Sequence, residues 1–170
     1  INGRIAQWLA VGNGWSMPDV LVEARDGWSA DRPSYSPNGQ YIAYNWLGPS
    51  ANDGMGANPS SEIWIVLPSG GPPVRLDKAN GGMLKGNSWP KWAPNPGGNG
   101  MMWLAFSSIR DYGNVVQNEG DDTPTPQIWV TAIDPNAPEG TDPSAGAFWL
   151  PYQNPASGNH IPYWAVYEKN

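Results

Sequence analysis

The chain has no cysteine in its 170 residues. That removes a disulfide framework, a thiolate zinc site and a cysteine nucleophile together. It is compatible with an oxidising compartment. Histidine occurs once, at His160, so a multi-histidine metal site cannot be built. A lone histidine could still serve a Ser-His-Asp triad, but no Gly-x-Ser-x-Gly elbow is present. The Gly-rich run 95-NPGGNG-100 lacks the Lys-Ser/Thr ending and the following helix that a phosphate loop requires, and reads as a turn. No run approaches the roughly 18 apolar residues of a membrane-spanning helix, and no signal peptide is visible. The chain begins at Ile1 and not at Met, which reads as removal of the natural start. The one stretch close to a glycosylation acceptor, 58-NPS-60, has Pro at the forbidden place. Charged residues are scarce at 14%, with a net charge of -6. A nucleic-acid partner would need a basic stripe, which this composition does not supply.

What the sequence has instead is glycine, proline and tryptophan. The 21 Gly and 19 Pro bring it near the composition of disordered chains. The 11 Trp and 7 Tyr point the other way, because a disordered chain does not carry such an apolar load. The length suffices for one domain with a core. No segment has a helical period. Short, alternating runs of aromatic and β-branched residues read as strands: 5-IAQWLAV-11, 20-VLVEA-24, 41-YIAYNW-46, 62-EIWIVL-67, 74-VRL-76, 101-MMWLAFS-107, 127-QIWVTAI-133 and 147-AFWL-150. Clusters of Gly, Pro, Asn and Asp separate them. The expected fold class is all-β.

The strands repeat as a set. Three copies of one motif place a Pro two residues before an aromatic: Pro33 and Tyr35, Pro90 and Trp92, Pro162 and Trp164. The first two continue into a further Pro-Asn, at Pro37-Asn38 and Pro94-Asn95, and then into three more strands. Ile63 matches Ile128 and Trp64 matches Trp129. The spacing between equivalents exceeds the roughly 40–45 residues of a compact four-stranded blade. The excess lies in the loops 47–61, 108–126 and 134–146.

The run 33-PSYSPNGQYIAY-44, followed by 62-EIWIVLPSGGPPVRL-76 and then by 90-PKWAP-94 and 103-WLAFSS-108, resembles the TolB-like β-propeller repeat, one of the WD40-like β-propeller repeats. Asn38 stands where that family usually has Asp, and the second copy is looser than the first. The likeness extends over residues 28 to about 165. It implies β-propeller blades of four antiparallel strands, two complete and partial ones at both ends. Residues 1–27 would end a preceding blade, 28–77 and 87–150 would be whole blades, and 159–170 would give the first strand of a following one. Such repeats specify architecture and leave activity open. A propeller typically takes 4–8 blades, so this set is an incomplete one. It would be closed by a longer polypeptide, by a partner protein, or by another copy of itself.

Pro37-Asn38-Gly39 predicts a type I turn between the first two strands of a blade. Trp64, Trp103 and Trp129 are expected on strand faces between blades, filling the wedge. Trp15, Trp28, Trp46 and Trp89 sit near loops. They are the candidates for a ligand-binding platform that stacks on sugar rings, beside the plainer role of packing. Asp111, Glu119, Asp121 and Asp122 cluster in one loop that could hold a structural calcium ion, although their spacing is not that of an EF-hand loop; the plainer reading is a solvated loop. His160 is expected to orient the chain entering the last strand by hydrogen bonding. No catalytic residue and no cofactor site stand out. The expected function is a non-catalytic extracellular or periplasmic scaffold that binds a protein or other ligand. A glycan-binding, surface-attachment module and the propeller part of a larger secreted enzyme are the alternatives.

Overall fold

The computed structural model describes residues 3–25, 27–49, 60–83, 85–97, 99–112 and 125–166. The first segment is a long hairpin. Its base pairs β1 (Ile5–Gln7) with β4 (Asp19–Val22), and its tip pairs β2 (Ala10–Val11) with β3 (Gly14–Trp15), all antiparallel. The expected strand 5–11 is therefore broken after Gln7, the expected strand 20–24 is met by β4, and β3 is additional. Between the broken parts, the Ser16 hydroxyl accepts the Leu9 N–H and the Ser16 N–H donates to the Leu9 carbonyl.

Each repeat then forms one antiparallel meander. The first sheet runs β5 (Ser29–Tyr35), β6 (Ile42–Leu47), β7 (Glu62–Val66) and β8 (Val74–Arg75) in that order. A short helix α1 (Asp77–Asn80) follows, closed by Gly81 in the left-handed conformation, where a Cβ would be strained. The second sheet runs β9 (Ser88–Trp92), β10 (Met102–Ser108), β11 (Gln127–Ile133) and β12 (Phe148–Trp149). The turn after β5 has the predicted chemistry: the Gly39 N–H donates to the Ser36 carbonyl, and Asn38 Oδ1 accepts the Gln40 N–H. Among the described residues the sheets close into neither a barrel nor a propeller. No described helix is long and apolar enough to cross a membrane.

The layers stack face to face, and strand alternation decides which residue meets which layer. All of β6 is buried. Its Ala43, with Ile63 and Ile65 of β7, meets Trp92, Leu104, Phe106 and Trp129 of the second sheet. The residues between them, Ile42, Tyr44, Trp46 and Val66, meet Ile5, Leu21 and Val22 of the hairpin. Burying each large apolar side chain stabilises by about 1.5–3 kcal/mol. Trp129 lies between the two sheets, and Trp64 packs half-buried toward the hairpin. Trp103 departs from the expectation. Opposite Ala132 in the ladder, it lies on the outer face of the second sheet, edge-on to Phe148.

Residues 161–166 form no ladder strand, contrary to the reading of a strand there. A ladder requires a neighbour, and no backbone hydrogen bond joins 162–166 to another described residue.

Candidate functional site

The three copies of the Pro-x-aromatic motif are seated by a common geometry. The residue before each proline has positive φ: Arg32 at 51°, Trp89 at 58° and Ile161 at 60°. Such a backbone costs a non-glycine residue roughly 1–3 kcal/mol. It persists where surrounding contacts over-determine it. It lets the chain skip register, as between Asp31 and Ser34 on β5 and, opposite β9, between Ala105 and Ser107 on β10.

The second motif is seated on the first sheet by two hydrogen bonds. The Trp89 N–H donates to Asn45 Oδ1 (2.9 Å), and Trp92 Nε1–H donates to the Ser34 carbonyl (2.9 Å). The third motif is seated on the second sheet by the equivalent pair. The Ile161 N–H donates to Ser107 Oγ (3.2 Å), and Trp164 Nε1–H donates to the Lys91 carbonyl (2.9 Å). Pro90 and Pro162 are both buried at these seats. The first motif sits differently. The Tyr35 hydroxyl donates to Gln7 Oε1, and the Ala30 N–H donates to the Gly3 carbonyl.

At the heads of these motifs, polar and aromatic groups converge. The Arg32 guanidinium, paired with Asp31, lies 4.2 Å from the centre of the Trp89 ring. His160 meets the same indole edge-on at 5.6 Å. Asp31 Oδ1, Arg32 Nε, Ser88 Oγ, Trp89 Nε1 and His160 Nε2 are buried without a hydrogen-bond partner among the described residues. Buried polar groups are normally paired, so five orphans in one place mark a spot with unused donors and acceptors. Burial pushes the His160 imidazole below its ordinary range, and the nearby Arg32 charge adds to this. Burial also raises Asp31, against the opposing pull of Arg32. His160 touches Trp89 through its ring, and its Nε2 has no hydrogen-bond partner among the described residues.

A second polar hub ties α1 to both sheets. Asn80 is fully buried. Its Oδ1 accepts the Ile63 N–H and Asn87 Nδ2–H, while its Nδ2 donates to the Ile63 and Leu76 carbonyls. The Arg110 guanidinium enters this hub, donating to Asn87 Oδ1 and to the Ala79 carbonyl, and covers Trp129 at 4.6 Å. Burial lowers its pKa to about 10. The hub fixes how the two sheets meet.

The four candidate tryptophans are dispersed. Trp28 and Trp46 stack at 6.0 Å, joined by Trp64, with Arg25 above Trp46 at 5.7 Å. Trp46 is buried, and a groove of about 140 Å³ beside it is lined by Leu21, Glu23, Arg25, Tyr44, Trp64 and Pro73. Trp15 stands on the hairpin tip, 73% exposed, beside exposed Trp8 and Tyr35 in an open depression of about 700 Å³. Trp89 belongs to the motif heads. Of the carboxylate cluster, Asp111 is exposed, and Glu119, Asp121 and Asp122 lie outside the described residues. Among the described residues no three His, Asp or Glu come together in a way that could hold a metal ion. The sequence signal that could have found the head cluster was the repeat itself: aligning the prolines aligns Asp31-Arg32, Ser88-Trp89 and His160-Ile161. No protein-family model matches the chain, and no curated protein and no solved structure matches it either.

Proposed function

We propose that the chain is a non-catalytic scaffold of the TolB-like, WD40-like β-propeller type, acting outside the cytoplasm in an extracellular or periplasmic setting, and that it binds a protein partner. On this reading residues 28–77 and 87–150 are blades, and the hairpin and the terminal segment are parts of two more. The observation that supports it most is the repeated seat. The pair Trp89–Asn45 and Trp92–Ser34 recurs as Ile161–Ser107 and Trp164–Lys91. Inner strands laid on the preceding blade in this way are how a propeller grows.

A second reading, a glycan-binding surface module, draws on Trp8, Trp15 and Tyr35 at the open depression. Flat aromatic faces beside amide and hydroxyl groups suit sugar rings. One experiment separates the two: native mass spectrometry of the chain and of its W15S variant, with secreted or periplasmic proteins and with polysaccharides of the source. Saturable protein binding that W15S leaves intact is the expected result. Polysaccharide binding lost in W15S would assign the second reading instead.

A further inference from the structure

We propose that the groove between the hairpin and the first sheet binds a small aromatic monocarboxylate, its ring against Trp46 and Trp64 and its carboxylate on Arg25 and the Tyr44 hydroxyl. Such a site lies beyond the scaffold reading and does not depend on it.

The repeat supplies an internal standard for this groove. Ser34 pairs with Ala43 and Lys91 with Ala105, so Tyr44 corresponds to Phe106. Their partners across the ladder, Trp64 and Trp129, correspond as well. Tyr44 and Trp64 face the hairpin, whereas Phe106 and Trp129 face the first sheet. At the second of these interfaces the wedge is filled. α1 brings Ala79 into the core there. The Arg110 guanidinium lies 5.4 Å from the centre of the Phe106 ring and 4.6 Å from that of Trp129, and it donates to Asn87 Oδ1 and the Ala79 carbonyl. At the first interface no helix stands between β4 and β5 among the described residues. The wedge stays open as the groove of about 140 Å³.

The open position also carries two donors with no partner. The Tyr44 hydroxyl is the one atom that Phe106 lacks. Tyr44 is 1% exposed, and its hydroxyl has no hydrogen-bond partner among the described residues, although buried hydroxyls are normally paired. The Arg25 guanidinium has no ion pair or hydrogen bond among the described residues either, and it lies over Trp46 at 5.7 Å. Burial raises the Tyr44 hydroxyl above its ordinary pKa, and the Arg25 charge opposes the rise. The hydroxyl is therefore protonated at neutral pH, with the guanidinium within electrostatic reach, and both groups donate. A guanidinium matches a planar carboxylate by parallel N–H bonds. The remaining walls are apolar, from Leu21, Val22 and Pro73. The volume is close to the roughly 150 Å³ of an apolar cavity that takes benzene, so one ring fits. Glu23 is the opposing charge. It lines the groove, but it is exposed and lies 3.9 Å from Arg4, so solvent and Arg4 weaken its repulsion.

The test uses para-fluorobenzoate on the full chain, followed by fluorine NMR, with para-fluorobenzamide as the neutral analogue of the same shape. The benzoate is expected to bind saturably, and the benzamide about tenfold more weakly. Arg25→Gln is expected to weaken the benzoate about tenfold and Tyr44→Phe about fivefold. Y44F copies the residue that the second sheet carries at Phe106, so it keeps the packing, and an unchanged urea midpoint checks this. Glu23→Gln is expected to tighten binding about twofold, the reverse of what a loosened groove would do. W15S, at the hairpin tip, is expected to bind as the wild type does. Absence of saturable binding overturns the proposal, as does equal binding of benzoate and benzamide. Binding that R25Q and Y44F leave unchanged, or that W15S abolishes, would place the ligand elsewhere and overturn the assignment.

Discussion

Two residues show how polar groups hold this fold and limit it. Asn80 is fully buried and satisfies both the N–H and the carbonyl of Ile63. Asn80→Leu would leave the Ile63 N–H without its acceptor in a dry site, where an unmet group costs about 1–3 kcal/mol, while the Ile63 carbonyl keeps the Leu76 N–H. A loss of about 3 kcal/mol is expected, seen as a lower urea midpoint with unchanged slope. An unchanged midpoint would mean that the hub tolerates the loss. His160 gives a pH dependence. Its folded pKa lies below the ordinary value of 6.5 because burial and Arg32 disfavour the imidazolium. The unfolded state then binds the proton more readily. The contribution is fully present above pH 6.5 and is lost as pH falls from there through the lowered value. Hydrogen-exchange protection across residues 159–166, measured against the intrinsic exchange rate at each pH, is expected to fall between pH 7 and 5, and a H160Q variant to lose that dependence. Asp31 acts with the opposite sign: its raised pKa favours the folded state as pH falls through that raised value, and the gain is complete below its ordinary 3.8. The two groups are told apart in one titration by the opposite signs of their effects.

At the scale of elements, the strands divide into those that hold each other and one that is only seated. β6 and β10 are central and buried; the segment 161–166 is held by the Ile161 N–H donating to Ser107 Oγ and the Trp164 indole N–H donating to the Lys91 carbonyl. Ser107→Ala and Trp164→Phe are expected to quicken exchange across 159–166 while leaving the urea midpoint nearly unchanged, because segments with few contacts open locally. A matching fall in global stability would show the segment to be part of the main cooperative unit. The strands were legible in the sequence because alternation and turn chemistry agree, as in 41-YIAYNW-46 and Pro37-Asn38-Gly39. The left-handed residues were not: Arg32, Trp89 and Ile161 share no chemistry, and none is a type that favours positive φ. Nor was the Asn80–Asn87–Arg110 hub legible, since its members are joined only by the stacking of two sheets. Trp89 could be singled out, but its partners Arg32 and His160 become neighbours only when three motifs are laid side by side.

For the whole molecule, unpaired strand edges lie at both ends of the described stack of sheets. One end offers the outer edge of residues 161–166, and the other offers β1 and the exposed apolar tip with Trp8, Leu9, Val11, Trp15 and Met17. Placing the ends of two copies together would set an inner strand beside strands that occupy the third and fourth places of a blade. The second strand would be missing, which leaves its two neighbours about 9.6 Å apart, twice the spacing of hydrogen-bonded strands. Hydrogen bonds do not reach across such a gap, and 14% charged residues with a net charge of -6 add mutual repulsion without complementary patches. Self-closure is therefore weak by construction, and the chain is expected at its monomer mass of 18.4 kDa over the micromolar range in light scattering. A mass near twice the monomer would mean that two copies close on each other by rearranging these edges.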